Sequence, residues 1–246
     1  MNRLYKNSPI DEAVCEFRVT PDTPWDIAVP GLFYDKVKGT FANREQRLFQ
    51  EVELTQGPQS IQHQVRTSER IMLFTDDRKK LVQLGPRFMS VNVLRPYPSW
   101  NAFRALIELA WKGLQEAVGV TGLERIGLRY VNRVELPGEV VNVEEYFEFY
   151  PFVGKSLPQK LTSFFIRAEF PFSEGQDCCR VQLTRFPNST EGKTSIILDL
   201  DYFLAKPRAV DVVQALDWVE VAHTRVEEMF EGCIRDPLRK LFEEVK

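Results

Sequence analysis

The run Arg125-Ile-Gly-Leu-Arg-Tyr-Val-Asn-Arg-Val-Glu-Leu-Pro137 constrains the fold more than any other stretch. It alternates at period two, and successive side chains of a strand point to opposite faces. One parity holds Ile126, Leu128, Tyr130, Asn132, Val134 and Leu136. The other holds Arg125, Gly127, Arg129, Val131, Arg133 and Glu135. A slip of one residue would drive the guanidinium groups into the core, so the register is strongly specified. The first set predicts a buried face on which Tyr130 and Asn132 are structural polar residues. The second is a guanidinium row, with successive arginines roughly 13 Å apart.

The segments around this strand predict an α+β protein: antiparallel curved sheets with long amphipathic helices packed on one face, in two broadly similar, helix-grip-like halves. Before it come strands at Ala13 to Val19, Leu48 to Leu54, Gln62 to Phe74 and Lys80 to Leu94, with a turn at Gly57-Pro58 and a bulge or bend at Gly85-Pro86. Trp25 to Phe41 reads as irregular helix broken at Pro30-Gly31. Ser99 is placed to cap a helix carrying Trp100, Phe103, Ile107, Ala110, Trp111, Leu114 and Val118 on one side. After it, Leu161 to Phe172, Arg180 to Phe186 and Ser195 to Phe203 read as a meander with a turn at Pro187-Asn-Ser189. Asp211 and Gln214 resemble a capping box, opening a helix whose seam includes Val219, His223, Val226 and Phe230. Asp236-Pro237 starts a last helix with Leu238, Leu241, Phe242 and Val245 on its buried side. The organisation expected is an N-terminal half over 1–137, a crossover over 138–158 and a C-terminal half over 159–246, folded as one unit.

Composition removes several function classes. A net charge of −3 does not favour bulk nucleic-acid binding, although a local basic patch remains compatible with it. No apolar run is long enough to cross a bilayer, and a polar start from Met1 to Asp11 does not read as a signal peptide. Cys15, Cys178, Cys179 and Cys233 lack disulfide or zinc spacing, which fits idle thiols in a reducing cytoplasm. Dinucleotide, P-loop, zinc-protease and nucleophile-elbow motifs are absent. No cofactor is implied.

Candidate binding residues are therefore Arg125, Arg129 and Arg133, with Arg167 and Arg180 on neighbouring strands. A guanidinium fork matches phosphate or carboxylate oxygens in pairs. The competing reading is internal pairing, since Glu135, Glu169, Asp199 and Asp201 sit at parities that would bring them to the same face. Asp199 and Asp201 are too few to hold a hard cation by themselves. His223 lies in an apolar helix seam, where a lone histidine is usually a satisfied core residue. The other histidine, His63, is far away in sequence, and a hydrolase built on Asp199, Asp201 and His223 is the weakest of three expectations.

Ser8-Pro-Ile-Asp-Glu-Ala-Val14, Val82-Gln-Leu-Gly85, Tyr97-Pro-Ser-Trp100, Ile126-Gly-Leu-Arg-Tyr-Val-Asn-Arg133 and Leu198-Asp-Leu-Asp201 occur in this order. Together they resemble an uncharacterised, sporadically distributed bacterial family that contains the same Gly-Leu-Arg-Tyr-Val-Asn-Arg run. The resemblance carries no catalytic residues. Sporadic distribution implies an accessory gene of mobile or antiviral defence loci, including CRISPR-associated ones, whose product binds a partner protein. The first expectation is thus a non-enzymatic, protein-binding accessory chain; the alternative is an RNA, DNA or other anionic-ligand module using the arginine row. Oligomeric state is not legible.

Overall fold

A computed structural model describes residues 3–56, 61–186 and 192–245, with side chains described outside 49–68 and 186. The expected turns at Gly57-Pro58 and Pro187-Asn-Ser189, and the His63 side chain, lie outside the described residues. In chain order the strands are β1 (Leu4–Tyr5), β2 (Ile10–Val19), β3 (Asn43–Gln56), β4 (Ile61–Phe74), β5 (Lys80–Gly85), β6 (Phe88–Leu94), β7 (Leu123–Pro137), β8 (Phe165–Phe172), β9 (Asp177–Phe186), β10 (Lys193–Leu204) and β11 (Glu244–Val245). The helices are α1 (Val29–Val37), α2 (Trp100–Ala117), α3 (Ala215–Cys233) and α4 (Asp236–Phe242).

Nine strands form one antiparallel sheet in the order β3-β4-β5-β6-β2-β7-β10-β9-β8, and β1 pairs separately with β11. The chain is α+β. The sheet is open and uncurled, with edges at β3 and β8, where a curved grip was expected. Each half follows one plan: a first strand, a meander that returns beside it, then a long helix. In the first half β6 returns beside β2 and leads into α2; in the second β10 returns beside β7 and leads into α3. The β2–β7 pair joins the halves, with Ala13 opposite Tyr130 and Cys15 opposite Leu128.

Strand parity decides what the helices cover. Ala13, Cys15 and Phe17 of β2, Ile126, Leu128, Tyr130, Val134 and Leu136 of β7, and Leu198, Leu200 and Tyr202 of β10 are buried in one core. Each fully buried leucine or phenylalanine contributes about 2 kcal/mol. Ser99 caps α2 as expected, its Oγ accepting from the Ala102 N–H at 3.2 Å. Trp111 of α2 stacks on Phe17, ring centroids 4.5 Å apart. α1 leans on α2 at Gly113, where a Cβ would meet Val37 Cγ1 at 3.2 Å. α3 crosses β7 and β10, and α4 packs its Phe242 beside Phe230 of α3. No described helix is long and apolar enough to cross a membrane.

Four local expectations change. Gly85 and Pro86 do not bend one strand; Pro86 and Arg87 form the turn of a hairpin between β5 and β6, with Arg87 at φ 56°. Pro30 does not break α1 but occupies its first turn, where a missing N–H costs nothing. Asp211 makes no side-chain capping bond, and a short 3-10 turn over Val212–Gln214 leads into α3 instead. In α4 and β11, Leu238 and Phe242 are buried, whereas Leu241 and Val245 are exposed.

Candidate functional site

The opposite face of the sheet carries the charged parity of every central strand. There the guanidinium row meets carboxylates. Arg125 contacts Asp201 at 2.9 Å and Glu16 at 3.1 Å. Arg129 grips Asp199 with two nitrogens, at 2.7 and 2.5 Å. Arg133 reaches Asp11 at 3.2 Å. On the neighbouring strands Arg180 lies 2.9 Å from Glu169 and 3.6 Å from Asp201, and Arg167 also bonds Glu169. The arginines stack as well, Arg125 over Phe203 at 4.2 Å and Arg70 over Phe88 at 4.0 Å.

These pairs shift the groups involved. Bonds from Arg167 and Arg180 hold the Glu169 carboxyl below the usual range. Burial pushes Asp201 up, opposed by Arg125, Arg180 and Arg129. Hydrogen bonding to Asp199 raises Arg129 further. All five candidate arginines are thus paired with carboxylates: Arg125, Arg180 and Arg167 are linked through Asp201 and Glu169, while Arg129 and Arg133 hold Asp199 and Asp11 beside them.

A second feature lies on the helix side: a cavity of about 820 Å³ between the start of α2, the middle of α3, β1 and the centre of β7. Its apolar wall includes Ile10, Leu200, Val226 and Phe230. Its polar wall is a chain of contacts. Tyr97 Oη lies 3.3 Å from Tyr130 Oη, which lies 3.2 Å from His223 Nδ1; His223 Nε2 lies 3.2 Å from Glu227 Oε1. Trp100 stacks on the imidazole at 3.9 Å and donates its Nε1–H to Glu220 at 3.1 Å.

An ionised carboxylate only accepts, so the proton between His223 and Glu227 sits on Nε2. The two phenol hydroxyls and Nδ1 complete the chain, and a hydroxyl can both donate and accept. Burial pushes both phenols above the ordinary tyrosine range, so neither supplies a phenolate near neutral pH. Asn132, 2% exposed, donates Nδ2 to the Tyr130 and Leu198 carbonyls at 3.3 and 3.1 Å. Its Oδ1 is left as an acceptor on a residue that lines the cavity.

Tyr130, Asn132 and His223 are buried polar residues, and the structure also brings them together as cavity wall. Asp199 and Asp201 do not join His223. They project from β10 at the parity opposite Leu200, so the sheet separates them from the imidazole, and the Asp-Asp-His grouping does not form. Both aspartates are held by arginines. Among the described residues no three His, Cys, Asp or Glu side chains are grouped to hold a metal ion. The sequence marks Tyr97 and Trp100 as a helix entry, not as site residues, and gives Glu227 no role. The His223–Glu227 spacing of four on one helix face was the available signal. No protein-family model and no curated protein matches this chain.

Proposed function

We propose that this chain is a non-enzymatic accessory protein that recognises a partner protein through the open face of its sheet. The observation that carries the reading is the ordered lattice on that face, where Arg125, Arg129, Arg133 and Arg180 are each paired with a carboxylate. Side chains already fixed in one geometry lose little entropy on docking, and arginine beside aromatic rings suits an interface core. Phe165, 60% exposed on the edge strand β8, extends the same face with an apolar contact. The non-enzymatic half of the reading is supported by His223, whose two nitrogens are both engaged and one ring face stacked, and by the nearby phenols, which are held protonated.

The resemblance directs the search for that partner to effector proteins of mobile and defence loci. The test is purification from the native host with mass spectrometry, comparing the wild type with Phe165→Asp. A stoichiometric protein partner that is lost in the variant is the expected result. A lone monomer in repeated preparations would overturn the reading. Co-purifying RNA or DNA, with affinity that falls steeply with salt, would replace it by the anionic-ligand one.

A further inference from the structure

We infer that the cavity beside Tyr130 is a binding site for an organic cation, an alkylammonium or guanidinium group carried on an apolar chain. The inference does not depend on partner binding, because the cavity and the arginine lattice lie on opposite faces of the sheet.

Glu227 lies 3.2 Å from His223 Nε2, and its carboxylate pairs with no guanidinium or ammonium group among the described residues. Asn132, which lines the cavity, gives Nδ2 to two backbone carbonyls, so Oδ1 is the atom it has to offer as an acceptor. Tyr97 Oη, 3.3 Å from Tyr130 Oη, is a hydroxyl with lone pairs for a further hydrogen. Glu227, Asn132 and Tyr97 line one common space.

The cations that line the same space are already engaged. Arg239 pairs with Glu231 at 3.0 Å and Asp236 at 2.9 Å, and Arg3 pairs with Glu244 at 3.2 Å. Glu231 also accepts from Tyr5 at 2.6 Å. An anionic ligand would meet the Glu227 carboxylate and occupied arginines. A cationic N–H donor meets complementary oxygens, and aromatic rings from Tyr97 and Trp100 stand at the same wall to favour positive charge. The apolar wall of Ile10, Leu200, Val226 and Phe230 accommodates the hydrocarbon part. The volume, about 820 Å³, is that of a small-molecule site.

The test is calorimetric titration of the full chain with n-butylammonium, with 1-butanol and butyrate as neutral and anionic isosteres, and with a peptide carrying a single lysine. The expected result is binding of the ammonium group and not of either isostere. Free amine binding identifies a small-molecule ligand; binding of the lysine peptide alone identifies the same group presented by a protein. Glu227→Gln should weaken the cation about tenfold or more while leaving the thermal unfolding transition in place. Thr224→Arg, at an exposed position on the rim, should abolish binding by delivering its own guanidinium. Butanol binding as well as the amine, a preference for butyrate, no heat with either cation up to about 10 mM, or full affinity in both variants would each overturn the site. None of these outcomes touches the Phe165 test, so the two readings fail separately.

Discussion

Arg129 lays two guanidinium nitrogens on the two oxygens of Asp199, although the arginine side chain is 48% exposed and the aspartate side chain only 10%. The unequal burial makes the pair asymmetric. Arg129→Leu leaves a carboxylate with little access to water and should cost about 1–2 kcal/mol, between the exposed-pair and buried-pair ranges because the arginine is half in solvent. Adding Asp199→Leu should recover most of that loss. Urea unfolding of the single and double variants reads the difference directly, and equal costs would remove the asymmetry.

Asp177, 3% exposed, joins the start of β9 to α3 by accepting from Trp218 Nε1 at 2.9 Å and from the Tyr202 hydroxyl at 3.2 Å. Asp177→Ala strands two buried donors and should destabilise the protein by about 2–4 kcal/mol. Asp177→Asn keeps one acceptor oxygen and should lose roughly half as much. Denaturant midpoints compared at equal slope test the order.

The thiols should divide by accessibility. Burial pushes Cys179 and Cys233 to about 12 and raises Cys15 well above the usual thiol, while Cys178 is partly exposed. Thiolate is the reacting form, so iodoacetamide at mildly alkaline pH should modify Cys178 first. The other three should react only once the chain is unfolded, as intact-mass measurements would follow.

Acid should loosen one particular tie. Hydrogen bonds from Thr20, Arg208 and Thr121 hold the Asp22 carboxyl down at about 2, against an ordinary 3.8. The folded state therefore binds fewer protons than the unfolded state between these values. The resulting stability is complete above pH 3.8 and is lost as the pH falls toward 2. Asp22→Asn should flatten that part of the stability–pH curve and leave the curve near neutrality little changed. An unaltered acid limb in the variant would count against the assignment.

What could be read in advance was whatever depends on local period. The alternation through β7 separates Leu128 from Arg129 correctly because one buried face leaves no other register, and Ser99 marks the start of α2 because a side-chain oxygen is needed for its free N–H groups. The hairpin at Pro86-Arg87 was hidden because its positive φ falls on an arginine, not on the glycine beside it. The cavity was hidden for a different reason. Tyr130 and His223 each read as ordinary core alone and Tyr97 as part of a helix entry, and only the pairing of distant segments brings them, with Tyr5, to one space. Carboxylates opposite the arginine row were legible as shared parity, but not which aspartate each arginine holds, because that depends on the offset between β7 and β10.

The β2–β7 pairing also sets an order of events during synthesis. Residues 10–19 can find β6 as soon as residue 94 is made, yet their second edge waits for residues 123–132. Until then a strand destined for the centre of the sheet is an outer one, with a row of unused N–H and C=O groups. A nascent chain halted near Gly122 is expected to be sticky along β2, and one halted just past Pro137 along β7, whose far edge waits for residues 193–203. The seam between the halves is thus also a relay, passing the exposed edge outward from strand to strand as the protein grows.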